Sequence, residues 1–101
     1  MKLLVVTAVK YYEKEIKSIL KKSGVKNYTY KDAVGYRDLS GLSVQENWFA
    51  NDMHEGMSIV FFAFVEEGNC DVLFDKVKEF NESSESYSKV HVAAINIERS
   101  I

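Results

Sequence analysis

The sequence predicts an α+β fold: a four-stranded antiparallel sheet with two helices on one face, in the ferredoxin-like βαββαβ order. Three observations predict it. Three segments are apolar on both of their alternating faces, as strands covered on both sides are. Two further segments carry apolar residues at helical spacing. The strand and helix patterns succeed one another in that order along 101 residues, the length of one domain.

Leu3 to Val9 opens the chain as a strand, with Leu3, Val5, Thr7 and Val9 on one face and Leu4, Val6 and Ala8 on the other. From Tyr12 the period changes. Tyr12, Ile16, Ile19 and Leu20 fall on one helical stripe, Glu13 precedes Lys17 by four residues, and Gly24 stands where a helix stops, with Val25 placed to fold back on the last turn. Asn27 to Val34 reads as a more polar strand at a sheet edge. A 22-residue irregular stretch, 35–56, follows.

Met57 begins a second central strand, in which Ile59, Phe61, Ala63 and Val65 alternate with Val60, Phe62 and Phe64. Asn69 is the expected cap of the next helix, whose stripe is Cys70, Leu73, Phe74, Val77 and Phe80. The polar run "NESSESYS" then leads to a last strand, Lys89 to Ile97, with Val90, Val92 and Ala94 on one face and His91, Ala93, Ile95 and Ile97 on the other. No repeat, linker or low-complexity tract divides the chain, so residues 1–101 read as a single domain with a long excursion at 35–56.

Composition narrows the function classes. One cysteine, Cys70, makes no intramolecular disulfide and fits a reducing, cytoplasmic setting. Lys2 and the apolar run after it resemble a short signal core, but without a small-x-small cleavage pattern the run reads as a strand. No apolar run approaches the ~18 residues of a membrane helix, so membrane insertion is not expected. The net charge is −2, distributed unevenly: residues 1–31 hold eight Lys against Glu13 and Glu15, for +6, which leaves −8 for the remainder. That asymmetry suits an anionic ligand, a neighbouring subunit or simply a solvated helix face. A pI of 5.7 and the lack of a nucleic-acid-binding motif argue against nucleic acid as a partner.

Two helices cover only one face of such a sheet, and the face left over is apolar in three of the four strands. Leaving it in water would expose an unusually large patch, so the pattern predicts a homo-oligomer assembled through the sheets.

With these elements in place, the sequence resembles the PII-like signalling superfamily, whose members are trimers of ferredoxin-like subunits. The carriers are "MKLLVVTAVK", "ILKKSGVKNYTYKDAVGY", the long excursion in the position of the family's T-loop, and "YSKVHVAAINIERS". The related CutA family shares the architecture. The PII resemblance implies a non-enzymatic, homotrimeric regulator that binds an effector, with an adenine nucleotide as the implied class, in clefts between subunits. It also implies a partner protein, a transporter or an enzyme, engaged through the loop at 35–56. Gly35 and Tyr36 match the Gly-Phe before the T-loop, and Lys89 matches the lysine that ends the B-loop. Arg99 lies near the C-terminal arginine positions, and Arg37 completes the implied ligand set. The chain departs from the family pattern at Arg37 and Leu39, which replace a glycine and a glutamine. It departs again at Ser86 to Lys89, where "SYSK" replaces a Gly-Asp-Gly-Lys cradle.

The irregular stretch carries the remaining signals. Trp48 and Phe49 are aromatics of the kind found at binding hot spots, and either contact a partner or pack back over the subunit interface. Asp52, His54 and Met57 combine carboxylate, imidazole and thioether donors suited to a soft or divalent metal. They are the basis of an alternative, CutA-like metal-binding reading, against a plain reading of Met57 as strand and His54 as solvated. His91 reads as a core or interface histidine, and Cys70 as a small buried hydrophobe. No Ser-His-Asp spacing, paired catalytic carboxylates or Walker-type loop supports an enzyme.

Overall fold

The computed structural model of the chain describes residues 1–36, 55–84 and 88–101. Four strands, β1 (Lys2–Val9), β2 (Thr29–Tyr36), β3 (Glu55–Val65) and β4 (His91–Asn96), form one sheet in the order β2-β3-β1-β4. All three pairings are antiparallel. Helices α1 (Glu13–Lys22) and α2 (Glu67–Ser83) complete the βαββαβ order.

The core is the layer between helices and sheet. Leu4, Val6 and Ala8 from β1 meet Ile59, Phe61, Ala63 and Val65 from β3, roofed by Ile16 and Leu20 from α1 and Cys70, Leu73 and Val77 from α2. Phe61 lies at its centre, buried against Tyr28 edge-on and Tyr30 in a stack. The helical stripes read from the sequence are the ones that face this layer. Phe74 departs from them: it is exposed and lines an open groove between α2 and β4.

Helix α1 begins after a 3-10 turn at Lys10–Tyr12 and ends as its sequence demands. Gly24 has φ +81, and the Gly24 amide donates to Lys21 O at 3.1 Å while the Val25 amide donates to Leu20 O at 3.0 Å. These are the two bonds of a Schellman stop, with Val25 buried beneath it. Helix α2 starts earlier than its sequence suggested. Glu66, in extended geometry, is the cap residue, and Asn69 lies inside the first turn. Its side chain lies beside Gly24, where a Cβ on that residue would come within 3.3 Å of Asn69 Oδ1.

Strands β2 and β3 also run further than expected. Gly35 pairs with Gly56 and Tyr36 with Glu55, so the first and last residues of the predicted irregular stretch belong to a two-stranded ribbon. Beyond β1, which ends at the Val9 to Ser58 pair, this ribbon continues with no third strand beside it among the described residues. The Gly35 to Gly56 pair extends it where a Cβ on Gly35 would collide with Ser58 Oγ. Among the described residues no helix is long and apolar enough to cross a membrane.

Candidate functional site

Register fixes which side chains face away from the helices. Leu3, Val5, Thr7 and Val9 of β1 lie beside Phe64, Phe62, Val60 and Ser58 of β3, and Ile95, Ala93 and His91 of β4 continue the row. Phe62 is 39% exposed, Phe64 65% and Ile95 49%. The second face of the sheet is thus apolar across three adjacent strands, and among the described residues nothing lies over it. Only β2, with Thr29, Lys31 and Ala33 on that side, is polar there.

The same register places the predicted ligand residues. Gly35 and Tyr36 end β2 at one edge of the sheet. Lys89 precedes β4 at the other edge, at the same end, since His91 pairs with Thr7 near the end of β1. Three strand spacings of about 4.8 Å put roughly 14 Å between those edges. Arg99 follows β4, whose Asn96 pairs with Lys2, and so lies at the opposite end of the sheet. At about 3.3 Å per residue, β4 alone separates Lys89 from Arg99 by some 17 Å. Within one chain these groups do not converge on a single small anion. Arg37, Trp48, Phe49, Asp52 and His54 lie outside the described residues, as does most of the segment before Lys89.

Around Lys89 the geometry is specific. Its Nζ donates to the carbonyl oxygens of Asn81 at 3.0 Å and Ser84 at 2.9 Å, closing the end of α2. The Asn81 side chain donates from Nδ2 to Val90 O and accepts from Val90 N, each at 2.9 Å. An open groove of about 490 Å³ runs beside them between α2 and β4, floored by Phe74, Val77 and Val92. Asn81 was absent from the sequence-based set. It sits in "NESSESYS", which reads as a turn because of its Ser content, although its first three residues are the last of α2.

Elsewhere, Lys17 bridges α1 to the β2 edge. Its ammonium donates to Glu13 at 2.7 Å and to the Tyr30 hydroxyl at 3.1 Å, and lies 4.2 Å from the centre of the Tyr30 ring. The hydrogen bond to Glu13 holds the Lys17 ammonium above the usual lysine range, and the same bond to Lys17 holds the Glu13 carboxyl below its own. Lys10 is likewise raised, first by its hydrogen bond to Asp32. Tyr12 packs against the core with its predicted stripe and Tyr28 packs beside it, whereas Tyr11 is exposed.

His91 is exposed on the apolar sheet face. Cys70 is buried, and that burial pushes its thiol upward, away from nucleophilic reactivity. Met57 is more than half exposed on the ribbon. Among the described residues no three His, Cys, Asp or Glu side chains gather as a metal site.

No family model matches the chain. No curated protein matches its sequence. Solved structures do match its fold. The nitrogen regulatory PII-like protein CPII from Thiomonas intermedia K12, bound to ADP, AMP and bicarbonate, is 21% identical, with a TM-score of 0.64 over 99% of this chain and 94% of that one. A putative PII-like signalling protein from Thermus thermophilus is 24% identical, with a TM-score of 0.59 over 95% of this chain and 85% of that one. The apo form of CPII is 19% identical, with a TM-score of 0.60 over 93% and 89% of the two chains. The chain therefore has the fold of the PII-like proteins.

Proposed function

We propose that the protein is a non-enzymatic, PII-like regulator that assembles as a homotrimer through the second face of its sheet. In this reading it binds an adenine nucleotide between subunits and engages a partner protein through the excursion at 35–56. The observation that carries the reading is the uncovered apolar face built by Leu3, Val5, Val60, Phe62, Phe64 and Ile95. Apolar patches of this kind mark surfaces that something apolar covers, and its residues come from the two central strands, β1 and β3, and the neighbouring edge strand β4.

Assembly also gives the scattered basic residues a use. Lys89 and Arg99 occupy opposite ends of one subunit, so a shared anion is within reach of both only if a neighbour supplies one of them. Tyr36, exposed on the ribbon at the Lys89 end, offers a ring for a base to lie on. The likeness of fold to CPII, which was solved with ADP and AMP, supports a nucleotide as the first ligand to try. The glycine-poor "SYSK" segment predicts weaker phosphate cradling than a glycine-rich loop provides. Arg37 and Lys89 then supply the positive charge, with Gly35 allowing close approach at the ribbon.

Trp48 and Phe49 are the proposed partner contacts. Trp48→Ala should weaken capture of the transporter or enzyme it serves while assembly stays intact; unchanged capture would remove these residues from the mechanism. Calorimetry on the intact protein with ADP, AMP, Cu and Zn tests the nucleotide against the metal reading of Asp52, His54 and Met57. Heat with a nucleotide supports the regulator. Heat with a metal alone, abolished in His54→Ala, would replace it with metal binding.

A further inference from the structure

The two helices end differently. Helix α1 closes its last carbonyls with its own backbone around Gly24, but Ser84, after α2, is extended at φ −87, ψ 131 and begins no such turn. The Ser83 hydroxyl donates to Phe80 O at 3.0 Å, Ser84 Oγ lies 3.2 Å from the Tyr12 hydroxyl, and a side chain from beyond the helix takes two further carbonyls. Lys89 reaches back and gives two of its three N–H donors to Asn81 O and Ser84 O. Beside it, the Asn81 carboxamide grips both backbone groups of the buried Val90. Of these two, the Asn81 tie is anchored on the core and the Lys89 tie is an exposed ammonium.

We infer that Lys89 is a releasable cap, so that a phosphate group taking its ammonium loosens the end of α2 beyond Asn81 and turns ligand binding into a change at the helix end. The inference rests on the nucleotide reading above. Its physical ground is competition for one cation. The carbonyls that hold the ammonium are the negative end of the α2 dipole. A phosphate brought to the capped ammonium would face that negative end a few ångströms away, and only one N–H remains to receive it. Swinging the side chain away removes both difficulties and costs little burial, because both of its hydrogen bonds are exposed. The Asn81 to Val90 pair keeps the backbone at the start of β4 in register while the ammonium moves. The signal therefore passes into α2 and leaves the sheet in place.

Hydrogen exchange resolved by residue tests this on the intact wild-type protein and on Lys89→Met, each alone, with ADP and with inorganic pyrophosphate, calorimetry reporting binding in parallel. Bound ADP or pyrophosphate should speed exchange of the Glu82 and Ser83 amides of the wild type about two- to fivefold, the effect expected from losing one charged group at a helix terminus. Lys89→Met should show that faster exchange without ligand and no further rise with it. Unchanged or slower exchange in a wild-type protein that calorimetry shows to be loaded would overturn the releasable cap and leave the nucleotide reading standing. Wild-type rates in unliganded Lys89→Met would overturn it as well. If neither ADP nor pyrophosphate binds, the nucleotide reading and the cap that rests on it fail together.

Discussion

Phe64→Asp puts a carboxylate on the uncovered apolar face, opposite Leu3. A phenylalanine presents about 200 Å² in total, so the 65% exposure of Phe64 leaves roughly 130 Å² for a neighbouring subunit to cover. At about 25 cal/mol per Å² that burial contributes ~3 kcal/mol per subunit. Over a trimer the loss is ~10 kcal/mol, or about seven powers of ten in the assembly constant, before the cost of desolvating three carboxylates is added. The monomer should tolerate the change, because Phe64 points away from the helix-covered core and exposed substitutions move stability by only about 0.5 kcal/mol. Sedimentation velocity at micromolar concentration, with far-ultraviolet circular dichroism on the same samples, reads both effects. The expected result is a wild-type trimer and a folded Phe64→Asp monomer. A variant that sediments like the wild type would refute the assignment of this face to assembly.

Other substitutions probe the fold and its charges. Phe61→Ala, at the centre of the core, should cost about 3–5 kcal/mol in urea unfolding, since it empties the space on which Tyr28 and Tyr30 rest. Gly24→Ala should cost about 1–2 kcal/mol in the same assay, because φ +81 strains any residue with a Cβ; wild-type stability would contradict the Schellman stop. The Glu13 carboxyl is depressed by the Lys17 hydrogen bond, so its contribution is present above the ordinary carboxylate range and lost as pH falls through the folded value. Glu13→Gln should therefore lose less stability on acidification than the wild type, and parallel acid-unfolding curves would discount the pair. Lys17 is shifted upward, so its contribution holds through neutral pH and fades only above the ordinary lysine range.

Much of the architecture was legible because burial writes a period into the chain. Strand β1 alternates two apolar sets, and both are now accounted for: Leu4, Val6 and Ala8 under the helices, and Leu3, Val5 and Val9 on the opposite, uncovered face. Gly24 marked the end of α1 because only a positive φ closes that turn cheaply. Other features were less visible for equally physical reasons. Asn69 has the chemistry of a cap but lies within the first turn of α2, where its carboxamide lies beside Gly24, 45 residues back along the chain, a proximity that no local pattern encodes. The ribbon through Gly35 and Gly56 was hidden because glycine is a poor strand former in isolation, and only the pairing of two glycines across the ladder makes sense of it. The Asn81 and Lys89 contacts at the end of α2 were invisible because they join a helix end to a strand start across a polar segment with no periodicity. Of the predicted ligand residues, Gly35, Tyr36 and Lys89 do lie at one end of the sheet. Nothing in their local patterns indicated that the sheet's width separates them.

The most direct test of the account is calorimetric titration of the wild-type protein with ADP and AMP, paired with the same titration of Phe64→Asp. The account predicts saturable binding of one nucleotide per subunit to the wild type and its loss in the dissociated variant, because the site is completed only between subunits. Absence of binding by either adenine nucleotide, or full-strength binding to a Phe64→Asp monomer, would contradict it.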